Sequence, residues 1–339
     1  ALSLLATLPL LLGALTQLAA PRAARWVRSE KSLVVIGALT QAAVHIALIA
    51  ISLSGTTSLA PLLGTKIAYW LSASIMVPAW NAWMARLVPA QLRASYFARR
   101  NALSQLSLVV AFVVAGWVIQ LEPPVLRGFA MLHGVALVAR LGSAWAMARQ
   151  PYLDAPAQRP PRLLQLVRRA RWRVALFVAT LMFGAQLAIP FFTPFMLGEL
   201  GLDLLDFALL SAVAIVSKTP SYALWRRLSR RYSPIWVLAV SGLLVASVPI
   251  YWAVSSDLRV LVFAQLVSGF AWAGFELASI QLLMSDAPED AQVEFFALAA
   301  SLSGFFQLVG ALIGGFCLRA QLLDYTAIFV VSAVGRASA

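Results

Sequence analysis

Ten apolar runs of about twenty residues, and part of an eleventh, follow one another along this chain and constrain its fold more than any other feature. They lie at roughly 1–20, 32–53, 60–87, 101–120, 127–147, 172–197, 206–225, 235–255, 260–283, 295–318 and 324–339. About 20 consecutive apolar residues cross the hydrocarbon of a bilayer as one helix. There every backbone N–H and C=O must be paired within the protein, so only helices and closed barrels can span. Barrel strands read as short alternating segments, whereas these runs are long and continuous. The prolines inside them (Pro78, Pro190, Pro194, Pro220 and Pro249) suit membrane helices, where neighbours re-satisfy the freed carbonyls. The expected fold class is an all-α polytopic membrane protein.

The balance of residues agrees. Of 339 residues, 61% are hydrophobic and 12% charged, against about 25% charged in soluble domains. The net charge of +13 sits in short loops between the apolar runs, with no aromatic-basic platform for nucleic acid. One cysteine, Cys317, excludes an intrachain disulfide, and His45 and His133 are far apart in sequence, so no metal site or other cofactor is expected. No G-x-x-x-x-G-K-[ST] phosphate loop occurs. The chain opens on Ala1-Leu2-Ser3, already apolar and without the basic leader of a signal peptide. Residue 1 is therefore read as a break inside a longer protein.

Lysine and arginine set the expected orientation, because cytoplasmic loops carry the excess. Assigning alternate loops to opposite sides places 19 on one side, including Arg22, Arg25, Arg28, Lys31, Arg226, Arg227, Arg230 and Arg231. Only Arg127, Arg259 and Arg319 fall on the other. The first side is read as cytoplasmic, with residue 1 outside and the protein in the cell (inner) membrane. The longest basic loop, 149–173, begins Pro-rich and ends in RLLQLVRRARWR. It reads as a solvated linker or a basic helix on the membrane surface.

On either side of this linker the sequence repeats weakly. At an offset of 199, WMARLVPAQLRASYFARRNALS meets LLMSDAPEDAQVEFFALAASLS, pairing Pro89 with Pro288 and Tyr96-Phe97 with Phe295-Phe296. At an offset of 205, Arg22 meets Arg227, Arg25 meets Arg230 and Gly37 meets Gly242. Two matches at nearly one offset point to duplication, which favours two similar bundles rocking about a central site.

Three features resemble the major facilitator superfamily. One is the loop PRAARWVRSEK, answered by WRRLSRRYSP. The second is AWNAWMARLVPAQLRASYFARRNALS, similar to the family's stretch between its fourth and fifth helices. The third is the long central loop. The resemblance covers the whole chain and implies two pseudo-symmetric six-helix bundles with about 11 helices present. The domains would be 1–147 (first helix missing), the linker 148–172, and 173–339 (last helix truncated). It also implies that the third, sixth and ninth visible spans line a cavity. The family's loop usually carries Gly, an acid and Arg. Here Gly13 is followed by Gln17 and the arginines come after Pro21, with no carboxylate read at that place. Arg22, Arg25, Arg93, Arg227 and Arg230 remain either gate residues or topology determinants.

Ionisable groups at membrane depth mark function by default. Of the acids, Glu276 alone lies well inside a run, with Trp272 one turn earlier. It reads as a proton-coupling or cation-binding carboxylate, or as half of a structural pair. Lys218 either pairs with Glu276 across helices or snorkels toward Arg226. Arg140 reads as structurally partnered, Lys66 as snorkelling, and the two histidines as core residues. Tyr69, Trp80 and Asn81, then Gln186, then Gln281 complete the expected cavity lining. The function expected is secondary active transport of a small organic solute by alternating access, with H+ as a candidate co-substrate through Glu276. The chain would act as a monomer and not as an enzyme. The alternatives are a transport-inactive receptor or scaffold of the same fold, and a membrane-embedded transferase, for which SDAPEDAQVE supplies acids without His or Cys partners.

Overall fold

In the computed structural model, residues 12–13, 15–55, 59–121, 125–152, 166–168 and 170–339 are described. Most of the first apolar run and of the linker lies outside them; of the stretch read as a surface helix, 162–173, residues 166–168 and 170–173 are described, with 166–168 helical. A short helix α1 (Ala20–Trp26) occupies the first basic loop. Then follow α2 (Glu30–Ser54), α3 (Leu59–Leu87), α4 (Ala90–Leu121) and α5 (Val125–Arg149). The second half holds α6 (Arg173–Gln186), α7 (Leu204–Arg231), α8 (Pro234–Val254), α9 (Leu258–Asp286), α10 (Gln292–Arg319) and α11 (Tyr325–Ala337). No strand occurs among the described residues, and eight segments are long and apolar enough to cross a membrane.

Each apolar run beyond the first is helical, but several helices outlast their runs at the basic end. α4 starts at Ala90 and α7 continues to Arg231, because arginine-rich segments are good helix formers once past the hydrocarbon. The connection between the runs 60–87 and 101–120 is therefore helical from Ala90 onward, broken only at Val88-Pro89. The duplication shows in local chemistry. Ser29 caps α2 by accepting from the Ser32 amide at 3.0 Å, and Ser233 caps α8 by accepting from Trp236 at 3.1 Å. Each cap satisfies one of the orphan amides of a helix start.

The sixth span is not one helix. After Gln186 it passes through a 3-10 turn (Ile189–Phe191), a short α turn (Phe192–Pro194) and a π turn (Phe195–Glu199). Pro190 and Pro194 remove two amide donors there, and a membrane helix tolerates this only where neighbours supply replacements.

Two bundles result. In the first, α2 packs on α3 and α5; in the second, α9 packs on α7 and α8, α10 on α6, and α11 on α8 and α6. The bundles meet where α4 runs along α7 and where α3 meets α10. The α7–α9 seam depends on glycine. A Cβ on Gly269 would overlap Ala214 O and Ser217 Oγ, and one on Gly274 would strike the Trp225 indole. Trp225, 1% exposed, donates to Phe270 O at 2.8 Å. Gly269→Val is accordingly expected to cost about 1–3 kcal/mol through overpacking. Gly64, with open space around it, should tolerate Val with little change. Thermal unfolding of the two variants in detergent tests this, and equal Tm values would refute the seam argument.

Candidate functional site

Two clusters of charged and polar groups lie toward the arginine-rich end. The deeper one is on the α7–α9 seam that the glycines allow to close. Lys218 Nζ donates to Glu276 Oε1 at 2.6 Å, and the Tyr222 phenol donates to Oε2 at 2.5 Å. Lys218 and Tyr222 are one turn apart on α7, hence on the same face. The Glu276 side chain is 39% exposed and Lys218 17%, so this pair is accessible rather than locked in the core. Tyr222 is 1% exposed, with Arg100 and Asn101 of α4, from the other bundle, near its phenol. Arg100 in turn lies over the Trp80 ring at 4.8 Å. The carboxylate thus belongs to a chain of contacts running from α9 through α7 to α4 and α3.

The second cluster closes the basic rim. Glu30, the first residue of α2, is buried among Arg86 of α3 and Tyr152 just beyond α5. Arg86 Nη2 lies 2.8 Å from Glu30 Oε2, in ion-pair contact though off the hydrogen-bond line, and both side chains are about nine-tenths buried. Tyr152 donates to the same oxygen at 2.6 Å. Burial, and then the neighbouring Glu30 carboxylate, push the Tyr152 phenol up to about 12, so it stays a donor at neutral pH. Arg86 Nη1 also donates to Gln292 Oε1 of α10 at 3.1 Å, and Arg25 of α1 pairs with Glu294 of α10 at 2.8 Å. Both contacts join one bundle to the other. Beside them opens a cleft of about 320 Å³ lined by Arg25, Arg28, Glu30, Arg86, Tyr152 and Gln292 among others.

The remaining residues singled out from sequence fall in different surroundings. Trp272 lies edge-on to Phe275, with ring centroids 5.6 Å apart. Trp80 is edge-on to Phe97, and Asn81 is half-buried beside it. Gln186 ends α6 and donates to Gln307 Oε1 at 3.4 Å. Gln281 is buried on the α7–α9 seam, donating to Leu277 O and accepting from Ser229 Oγ. Arg93 folds back on the end of α3, donating to Ala85 O at 2.7 Å and Val88 O at 3.2 Å. Arg22, Arg227 and Arg230 are exposed. His45 and His133, 88 positions apart, bring their rings within 5.5 Å, and the Tyr69 ring sits 5.7 Å from His45.

The first basic loop was read as lacking a carboxylate for a charge relay, yet Glu30 at its end forms the buried ion pair with Arg86. The acid lies thirteen positions after Gln17, and only the turn of chain through α1 delivers it. Tyr222 carried a usable signal, its one-turn spacing from Lys218. Glu294 and Gln292 carried none, since their partners lie more than 200 positions away.

Residues 1–317 match the family model described as Major Facilitator Superfamily. No curated protein matches the sequence. Among solved structures, the proton:xylose symporter XylE is similar with a TM-score of 0.76 at 12% identity, covering 99% of this chain and 83% of that one. The E. coli fucose:proton symporter FucP gives 0.71 at 16%, covering 97% and 88%. The human organic anion transporter MFSD10 gives 0.70 at 14%, covering 97% and 80%. At these identities the likeness is one of fold.

Proposed function

The chain belongs to the major facilitator superfamily, and on that premise we propose that it is a secondary active transporter of a small organic solute, working by alternating access with proton coupling through Glu276. Members of this family are multi-pass membrane transporters rather than enzymes, which leaves the transferase reading without support. The observation that carries the proposal is the Lys218–Glu276–Tyr222 cluster, a half-exposed intramembrane carboxylate in contact with the other bundle through Tyr222. Such a group can trade its cation partner for a proton as the helices move, because an ionisable group at membrane depth needs either a partner or neutralisation.

Alternating access requires contacts that close one side and can release. Arg25–Glu294 and Arg86–Gln292 join the bundles at the basic end, and α4 against α7 joins them deeper. With that end assigned to the cytoplasm by its arginines, this conformation is the one closed to the cytoplasm. Opening it would break two polar contacts at the rim and expose the Glu276 cluster. Arg22, Arg227 and Arg230, exposed as they are, act in this scheme as topology determinants rather than as latch residues.

The test is reconstitution of the full-length protein into liposomes with an imposed pH gradient. Radiolabelled sugars, organic acids and amines are then screened for accumulation. Gradient-driven accumulation of one class, collapsed by a protonophore, is the expected result. Saturable binding with no flux for any class would instead favour the receptor of the same fold.

A further inference from the structure

Another charged side chain is buried within the second bundle, and it finds no carboxylate among the described residues. Arg336 of α11 is 3% exposed. It is the twelfth residue of its helix, about 17 Å from the first at 1.5 Å per residue. Its Nε donates to Ser332 Oγ at 3.1 Å, Nη1 to Val245 O at 3.0 Å and Nη2 to Ala185 O at 3.4 Å. All three acceptors are neutral. Among the described residues no carboxylate pairs with it, and the oxygens of the intramembrane Glu276 are taken by Lys218 and Tyr222.

Part of this arrangement is structural. Gln186 ends the regular part of the sixth span, and just before it the guanidinium joins the Ala188 amide as a second donor to Ala185 O. Ser332 Oγ donates to Gly184 O at 2.7 Å. A neutral Asn or Gln could supply such donors. The positive charge is what this role leaves unexplained, since burying an unpaired charge is strongly unfavourable. A guanidinium also has five N–H groups, and three are used here.

The arginine borders a cavity of about 230 Å³ inside the second bundle. The walls include Phe192, Trp252 and Trp272, and the polar groups of Gln265 and Ser268 open onto the same space. Phe192 and Trp252 are held edge-to-face at 5.2 Å, so these walls are set by packing. An apolar pocket with a few convergent polar groups and one cation is the ordinary form of a site for an organic anion.

We propose that this cavity binds a small organic carboxylate, its oxygens on Arg336 and its apolar body, of the size of one ring, between Trp252, Trp272 and Phe192. Arginine and carboxylate match in geometry as two parallel hydrogen bonds, and the ligand supplies the missing negative charge. The site is separate from the Glu276 cluster, although Trp272 lies one helical turn from that residue, and it stands whether or not the chain transports.

Calorimetric titration of the full-length protein with benzoate, benzamide and acetate tests this without any transport assay. Benzoate is expected to bind at least about tenfold more tightly than benzamide, which keeps the ring and lacks the charge, a difference of about 1.4 kcal/mol. Acetate, with the charge and no ring, should also bind at least about tenfold more weakly than benzoate. Arg336→Gln should erase the preference for benzoate over benzamide. Should that variant fail to fold, Ser268→Leu keeps the arginine and fills the cavity, and it should abolish benzoate binding. Equal binding of benzoate and benzamide, no heat from benzoate, acetate matching benzoate, or benzoate binding unchanged in either folded variant would each overturn the proposal.

Discussion

Glu276→Gln is expected to uncouple substrate movement from the proton gradient. In reconstituted full-length protein, accumulation driven by an inward proton gradient should fall by about tenfold or more, the scale of a 1.4 kcal/mol loss of driving interaction. Exchange of labelled for unlabelled substrate, which needs no net proton movement, should survive. Glutamine keeps the shape and can still accept from Tyr222, but it neither holds a negative charge for Lys218 nor takes up a proton. Lys218, 17% exposed and 2.6 Å from Glu276, would lose its counter-ion. The prediction therefore extends to Lys218→Gln. With the cation gone, the carboxylate lacks its ion-pair partner, and gradient-driven accumulation should fall as well. Accumulation by Glu276→Gln at the wild-type rate would reduce the pair to a structural role.

The second large effect concerns the rim. Glu30→Ala or Arg86→Met alone should each destabilise the protein by about 3–5 kcal/mol, because each leaves a buried charge without its partner. The side chains are 9% and 11% exposed, so water screens this pair little. Replacing both at once with Leu and Met should recover most of that loss, since a well-packed apolar pair costs no desolvation. Chemical or thermal unfolding of the two single variants and the double one reads this directly. Additive losses in the double variant would show that the pair is not coupled. Tyr152→Phe should cost less, about 1–3 kcal/mol, because it removes one hydrogen bond to a charged group and leaves the ion pair.

The two clusters differ in what they leave readable from residues alone. Glu276 stood out because an acid in an apolar run has no compositional excuse, and Lys218 because the same holds for a base. Span direction then put both toward the same end, and the 2.6 Å contact follows. Arg86 and Glu30 stood out from nothing, since each sits at the end of a run where charges are common. The histidines show the same limit from another side. Their 88-residue separation argued against a shared site, yet the packing of α2 on α5 brings the rings to 5.5 Å.

The membrane fold, the helical runs beyond the first, the repeat and the family could all be read in the sequence by itself. Hydropathy sums transfer free energy over contiguous residues, and twenty in a row decide the matter whatever else the chain does. What only the tertiary structure decided is which side chains meet. Glu30 finds Arg86 and Tyr152, Arg25 finds Glu294, and Arg336 finds backbone carbonyls and an aromatic cavity instead of a carboxylate. Those partners are set by which helix faces pack together and how closely glycine lets them approach. Neither quantity is local, so no window along the chain contains it.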